Sequence, residues 1–284
     1  HYLWSMHIPF AKYHALANDF LVVESVSTRV PKRSLGRLAR SICNRRSGVG
    51  ADGILYVSSR GGNRCVDIYN ADGSWAEKSG NGLRIAALHE YLKDRRRRNF
   101  VLEMDGRPHA ARILKPSETG AIIVTQLGTP EFETKRVPVK SKLKVMINAP
   151  LKVGGLEFPV TCLAVGNPHT VLPVDHFDFD WQALGAEIEN HSAFPHGTNV
   201  EFVRVVGRRK IELADWERGA GATGSSGTGA AAAVCAMVMI GTVDRNCEVR
   251  FETGTLRIRW DRSTDLIELT GPADYIAKGV FTLR

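Results

Sequence analysis

One short turn occurs twice in this chain. Ser79-Gly80-Asn81-Gly82 runs into Leu83-Arg84-Ile85-Ala86-Ala87, and Ser226-Gly227-Thr228-Gly229 runs into Ala230-Ala231-Ala232-Ala233-Val234. Each time a serine and two glycines precede a segment that is apolar on more than one helical face, which predicts a buried helix opened by a serine cap. The second copy begins 147 residues after the first in a chain of 284. A separation of about half the length predicts two similar domains, each supplying one such helix start. A cleft between them would bring the turns face to face.

The size agrees with two domains, because 284 residues exceed the roughly 100 to 200 of a usual single one. Hydrophobic residues at 43% and charged residues at 24% exclude a disordered, collagen-like or coiled-coil chain. No run nears the roughly 18 apolar residues of a spanning helix, and no basic-then-apolar leader opens the chain. A soluble cytoplasmic protein without a membrane partner is expected. Residues 1–5, ahead of Met6, are read as a cloning remnant or frayed extension and given no function. Cys43, Cys65, Cys162, Cys235 and Cys247 are odd in number and scattered, which argues against a disulfide framework or zinc knuckle and for a reducing compartment.

A net charge of +8 and the run Arg95-Arg96-Arg97-Arg98 raise nucleic acid as a partner. The run sits between a helix-like and a strand-like segment without any nucleic-acid-binding motif, and reads as a solvated turn. His89, His109, His176, His191 and His196 show no metal spacing and read as structural or solvated. No metal is expected.

Periodicity predicts strands at 20–24, 53–57, 65–69, 100–104 and 121–126, with helices at 33–42, where Ser34 is a possible cap, and at 83–92. After a proline-bearing crossover at 129–150, strands are expected at 156–165, 170–174, 200–206 and 210–213. A helix at 229–240 follows, then strands at 248–252, 256–260 and 266–270.

A helix start exposes about four unpaired N–H groups and the positive end of the dipole, and glycine lets an anion approach the backbone. Each turn is therefore a carboxylate cradle or simply a capped helix. Two such starts suit proton abstraction beside a carboxylate. The serines do not, since a hydroxyl without an adjacent base is far less acidic than a thiol.

Ordered motifs along most of the chain resemble the diaminopimelate epimerase family: His14-Ala15-Leu16-Ala17-Asn18-Asp19-Phe20, Gly48-Val49-Gly50-Ala51-Asp52-Gly53, Asn70-Ala71-Asp72-Gly73-Ser74, Ser79-Gly80-Asn81-Gly82, Gly166-Asn167-Pro168-His169, Thr198-Asn199-Val200-Glu201-Phe202, Trp216-Glu217-Arg218-Gly219 and Gly227-Thr228-Gly229-Ala230. The resemblance implies an α/β (α+β) fold of two pseudosymmetric domains, each a β-sheet wrapped around a central helix, with the active site in the interdomain cleft. It implies an N-terminal domain at 1–128, a C-terminal domain at 129–272 and a final strand at 273–284 returning to the first. It also implies cofactor-independent isomerisation at the Cα of an amino acid, with one cysteine heading each central helix. Ser79 and Ser226 occupy those two positions.

By the same carry-over His169 and Glu217 match the polar residues that support the thiols. Asn18, Asn70, Asn167, Asn199 and Arg218 match positions holding the substrate's distal amino and carboxylate groups, while Gly80, Asn81, Gly227 and Thr228 belong to the helix starts. Arg218 suits a carboxylate physically, through a two-pronged guanidinium contact. The asparagines also read as turn residues, and His14 is a weaker pocket candidate. Lys78, Ala222, Gly224-Ser225 and Gly197 depart from the family's usual residues. The expectation is an epimerase-like isomerase, inactive or altered by loss of both thiols, acting on an amino acid with a second polar or anionic end. A diverged isomerase or cyclase using non-cysteine chemistry, or a binding-only homologue, is the alternative. Oligomeric state is left open, a homodimer included.

Overall fold

A computed structural model describes residues 6–28 and 30–283; the expectation for residues 1–5 lies outside them. In chain order the elements are β1 (Met6–Ala15), β2 (Asn18–Glu24), α1 (Leu35–Ile42), β3 (Gly53–Arg60), β4 (Asn63–Asn70), β5 (Trp75–Ala76), α2 (Gly80–Lys93), β6 (Asn99–Met104), β7 (Arg107–Pro116) and β8 (Gly120–Gly128). Then come β9 (Ala149–Val153), β10 (Leu156–Ala164), β11 (Pro168–Pro173), α3 (Trp181–Glu189), β12 (Asn199–Gly207), β13 (Lys210–Glu217), β14 (Gly221–Ala222), α4 (Gly227–Ile240), β15 (Asn246–Phe251), β16 (Gly254–Trp260) and β17 (Ile267–Leu283). One compact unit comprises the residues up to Thr125 and from Gly271 onward, the other Gln126–Thr270.

In the first unit β1, β2, β3, β4, β6, β7, β8 and β17 pair in that order, and β17 pairs again with β1. The ring closes without a free edge, which removes the unpaired backbone an open sheet exposes. Helix α2 fills it. Leu83, Ile85, Ala86, Ala87, Leu88 and Tyr91 are buried against Phe20, Val22, Leu55, Val57, Leu102 and Ile113, each large apolar side chain stabilising the fold by roughly 1.5–3 kcal/mol. Helix α1 lies on the other face of β2: Phe20 and Val22 pack in the α2 cluster, whereas Leu21 and Val23 pack with Leu35, Leu38 and Ile42 of α1. That alternation explains why β2 reads as continuously apolar.

The second unit repeats the directions. From β1 to β7, skipping the short β5, the pairings run antiparallel, parallel, antiparallel, parallel, antiparallel; from β10 to β16, skipping β14, they run the same way. Helix α4 is buried from Gly227 to Met237. Its small side chains let the strands approach closely, and Gly241 ends it with φ 85°, a left-handed cap suited to glycine.

Sequence expectation and structure differ at several elements. Strands β7 and β9 and helix α3 were not anticipated. Ser34 precedes α1 but makes no side-chain cap bond, so that helix is held by its apolar face. The arginine run forms the expected turn, with Arg95 donating to the carbonyls of Ser117 and Glu118 and Arg96 paired to Asp94.

Candidate active site

Ser79 Oγ accepts from the Gly82 N–H at 2.9 Å, and Ser226 Oγ accepts from the Gly229 N–H at 3.1 Å. Both serines are N-caps bonded to the third helical residue, the local geometry their spacing to glycine predicts. The glycines are required by space. A Cβ on Gly82 would come within 3.0 Å of Leu55 Cδ2 and 3.2 Å of Ser79 Cβ, and one on Gly229 within 2.9 Å of Glu201 Oε1 and 3.0 Å of Ser226 Cβ. Each serine hydroxyl keeps its own hydrogen for another acceptor.

In the first unit polar side chains converge on the start of α2. Asn81 Nδ2 donates to Asn18 Oδ1 at 3.1 Å, and Asn18 Nδ2 donates to Asp52 Oδ2 at 2.9 Å. Arg45 bridges Asp52 and Asp19, each at 2.8 Å, and Lys12 pairs with Asp19 at 2.9 Å. Arg45 and Lys12 together hold the Asp19 carboxyl below its ordinary range, against the desolvation of its site. Leu16 and Ala17, at φ 52° and 65°, form the two-residue turn before Asn18. Such a turn normally takes Asn-Gly, so the backbone beside Asn18 stores strain.

Arg84 is fully buried, donating to Gly80 O, Pro272 O and Asn81 Oδ1; burial without a carboxylate lowers its pKa to about 9. Burial also lowers Lys78 to about 8. Asn70 is exposed and donates to Ser74 Oγ at 3.0 Å, within its own turn. His14 keeps Nδ1 buried without a hydrogen-bond partner. His89, read as structural, bridges Tyr13 and Glu24, each at 2.7 Å.

In the second unit His169 is fully buried, its Nδ1 2.6 Å from Glu201 Oε1 and its Nε2 2.9 Å from Asn167 Oδ1. Asn199 Nδ2 donates to Pro168 O at 2.7 Å, and its Oδ1 accepts from the Arg218 backbone N–H at 3.0 Å. The Arg218 side chain is exposed and donates to His196 O at 3.1 Å. Gly197, φ 70°, leaves room for it, because a Cβ there would stand 3.0 Å from Arg218 Cδ. Gly227 and Thr228 are buried in the first turn of α4.

Glu217 Oε1 accepts from the Thr223 hydroxyl. Thr223 Oγ1 is also 2.8 Å from Asp215 Oδ2. Glu217 as a residue keeps some surface, yet its carboxyl is enclosed, and burial first, then the charges of Asp215 and Glu201, raise its pKa. Asp215 and Glu201 are raised too, chiefly by burial. Asp215 Oδ1 and Glu201 Oε2 lack hydrogen-bond partners. Sequence reasoning assigned no role to Glu201, Asp215 or Thr223. The available signal was the i, i+2 spacing of Asp215 and Glu217, which puts both on one face of a strand.

The description "Diaminopimelate epimerase" belongs to the family model that matches residues 10–132 and 161–276. A diaminopimelate epimerase of Rippkaea orientalis is 36% identical over 98% of this chain and 100% of its own, and one of Magnetococcus marinus 37% identical over 95% of each. Among solved structures, a predicted epimerase of Pseudomonas aeruginosa matches with a TM-score of 0.69 at 14% identity over 96% of this chain and 98% of its own. A hydroxyproline epimerase of Agrobacterium vitis matches with 0.68 at 12% identity over 98% and 91%. These structures are similar in fold.

Proposed function

The chain belongs to the diaminopimelate epimerase family, and we propose that it is a cofactor-independent isomerase-type protein that binds an amino acid with a second anionic end. In this reading the N–H groups at the starts of α2 and α4 take carboxylate charge, and Arg218 with Asn18, Asn70, Asn167 and Asn199 holds the distal groups. The observation that carries it is the shared construction of the two helix starts, each a serine bonded to the third helical N–H with glycines stripped of side chains around it. Ser79 and Ser226 stand where the resemblance puts thiols, and His169 and Glu217 support the acid–base groups. A bare serine cannot ionise near neutral pH, so α-proton exchange is slow in the chain as it stands. The five cysteines are free and buried away from these positions, consistent with a reducing cytoplasm.

The test follows loss of the α-proton signal of diaminopimelate stereoisomers in deuterated water. Ser79→Cys combined with Ser226→Cys is expected to raise exchange at least about tenfold, since a thiol at a helix N-terminus loses several pKa units. Each single change is expected to support only partial exchange. A double variant that binds diaminopimelate without gaining exchange rejects the thiol-loss account. No binding by the folded protein at millimolar ligand rejects the substrate class, and saturable binding with no turnover in any variant identifies a binding-only homologue.

A further inference from the structure

An asparagine amide has a donor end and an acceptor end of the same shape, and its partners decide which way it is turned. Asn18 and Asn81 stand in a row of hydrogen bonds whose two ends have fixed polarity. At one end Asp52 Oδ1 accepts from Arg45 at 2.8 Å and Oδ2 from the Asp19 backbone N–H at 3.0 Å. Both oxygens face N–H donors, so the group is a carboxylate that only accepts. Asn18 therefore turns Nδ2 to Asp52, at 2.9 Å, and offers Oδ1 to Asn81 Nδ2, at 3.1 Å. Asn81 then meets Arg84 with Oδ1, at 2.6 Å. A guanidinium only donates, and the same orientation of both amides follows from that end.

We propose that Asp52 and Arg84 are positioning residues that lock the two amides, so that Asn18 meets a ligand with an N–H and the head of α2 takes a carboxylate in preference to an ammonium. This rests on the reading of that helix start as the carboxylate side of an amino-acid site. Asn18 Nδ2 has two hydrogens; one goes to Asp52 and the second serves a ligand oxygen. Were Asn18 turned over, its carbonyl oxygen would face the Asp52 carboxylate and its amide hydrogens would face those of Asn81. Were both turned, Asn81 would set its amide hydrogens against the guanidinium. Asn81 is 4% and Arg84 0% exposed, so water cannot repair these contacts, and each would replace a hydrogen bond by a buried polar mismatch.

The same row explains a guanidinium buried without a carboxylate. Arg84 donates to Gly80 O at 3.2 Å and Pro272 O at 3.1 Å, which anchors it between the first turn of α2 and β17. Its pKa of about 9 leaves it protonated at pH 7, and its charge adds to the anion-favouring dipole of the helix start. Asp52 and Asp19 would oppose an anion. Arg45 bridges both, however, and Lys12 pairs with Asp19. Two cations match the two carboxylates, so the acceptor that orients Asn18 brings no net negative charge to it.

Proton–nitrogen NMR of the asparagine side-chain amides, on the full chain without ligand at pH 7, tests the lock. Asp52→Asn keeps the shape and gives Asn18 a partner of either polarity. It is expected to move the Asn81 side-chain signals, which lie two hydrogen bonds away, with the backbone signals of the rest of α2 in place. Unmoved Asn81 signals overturn the proposal. Arg84→Lys, which keeps a donor, is expected to leave the Asn18 signals close to wild type; Asp52→Asn decides by itself should that variant not fold. In calorimetry Asp52→Asn is expected to weaken diaminopimelate binding at least about tenfold, as loss of a hydrogen bond to a charged group does, and a smaller loss overturns the preference for a carboxylate. Because the spectra need no ligand, failure of the wild type to bind diaminopimelate rejects the proposed substrate class and leaves the lock to be decided by NMR.

Discussion

Glu217 carries an opposite pH consequence to Glu24. Hydrogen bonds to His89 and Lys93 hold Glu24 below its usual range, so its stabilisation is present above that range and lost as the pH falls. The Glu217 carboxyl is raised from 4.5 to about 8. Between those values the folded chain binds more protons than the unfolded one, so stability is lost as the pH climbs through that window. Glu217→Gln imitates the protonated acid. Thermal unfolding is expected to find the variant close to wild type at about pH 5.5 and more stable than wild type at about pH 8.5; equal pH slopes for the two proteins would contradict this. The serine caps were legible in the residues, because a cap and its glycine lie three positions apart. Glu201 and Asp215 were not, because only the fold brings His169 to the first and Thr223 to the second.

At the level of helices and strands, α2 and α4 are unusual in having their glycines at places where a methyl group has no room. In an open helix Gly→Ala stabilises by roughly 1 kcal/mol. At Gly229 the added carbon would stand 2.9 Å from Glu201 Oε1 and 3.0 Å from Ser226 Cβ, and overpacking of this kind costs about 1–3 kcal/mol. Packing wins, and Gly229→Ala is expected to lower stability by about 1 kcal/mol in denaturant titration. A more stable variant would show that the cap can shift freely. The two central helices were readable because their apolar character runs all round, and the strands flanking them alternated in register. Strand β7 was hidden by the prolines and basic residues of Arg107–Pro116, whose outward side chains are exposed. Helix α3 was hidden because only Gly185 and Ile188 of it are buried, too few to mark an apolar stripe, although Asp180 caps it through the Ala183 N–H.

Across the whole molecule, one strand runs through both units. Strand β17 pairs with β16 over Ile267–Thr270 and with β1 from Asp274 to Leu283. Ending the chain after Thr270 would strip β1 and β8 of a partner and remove Pro272, which accepts from the buried Arg84. Such a truncated protein is expected to lose the cooperative unfolding of its first unit in calorimetry while Gln126–Thr270 keeps a transition of its own; two intact transitions would contradict this. The duplicated plan was visible from the paired turns, whereas closure of the first ring by the last residues depends on long-range pairing that no local pattern encodes. The same strand inverts the order of assembly. As the ribosome extends the chain, at roughly 5–20 residues per second, the half made first waits for the half made last, and the interval between Thr125 and Gly271 is about 7–30 s at that rate. During that time the ring stands open along β1 and β8, so the nascent protein is exposed to mispairing and capture by chaperones at its beginning and not at its end.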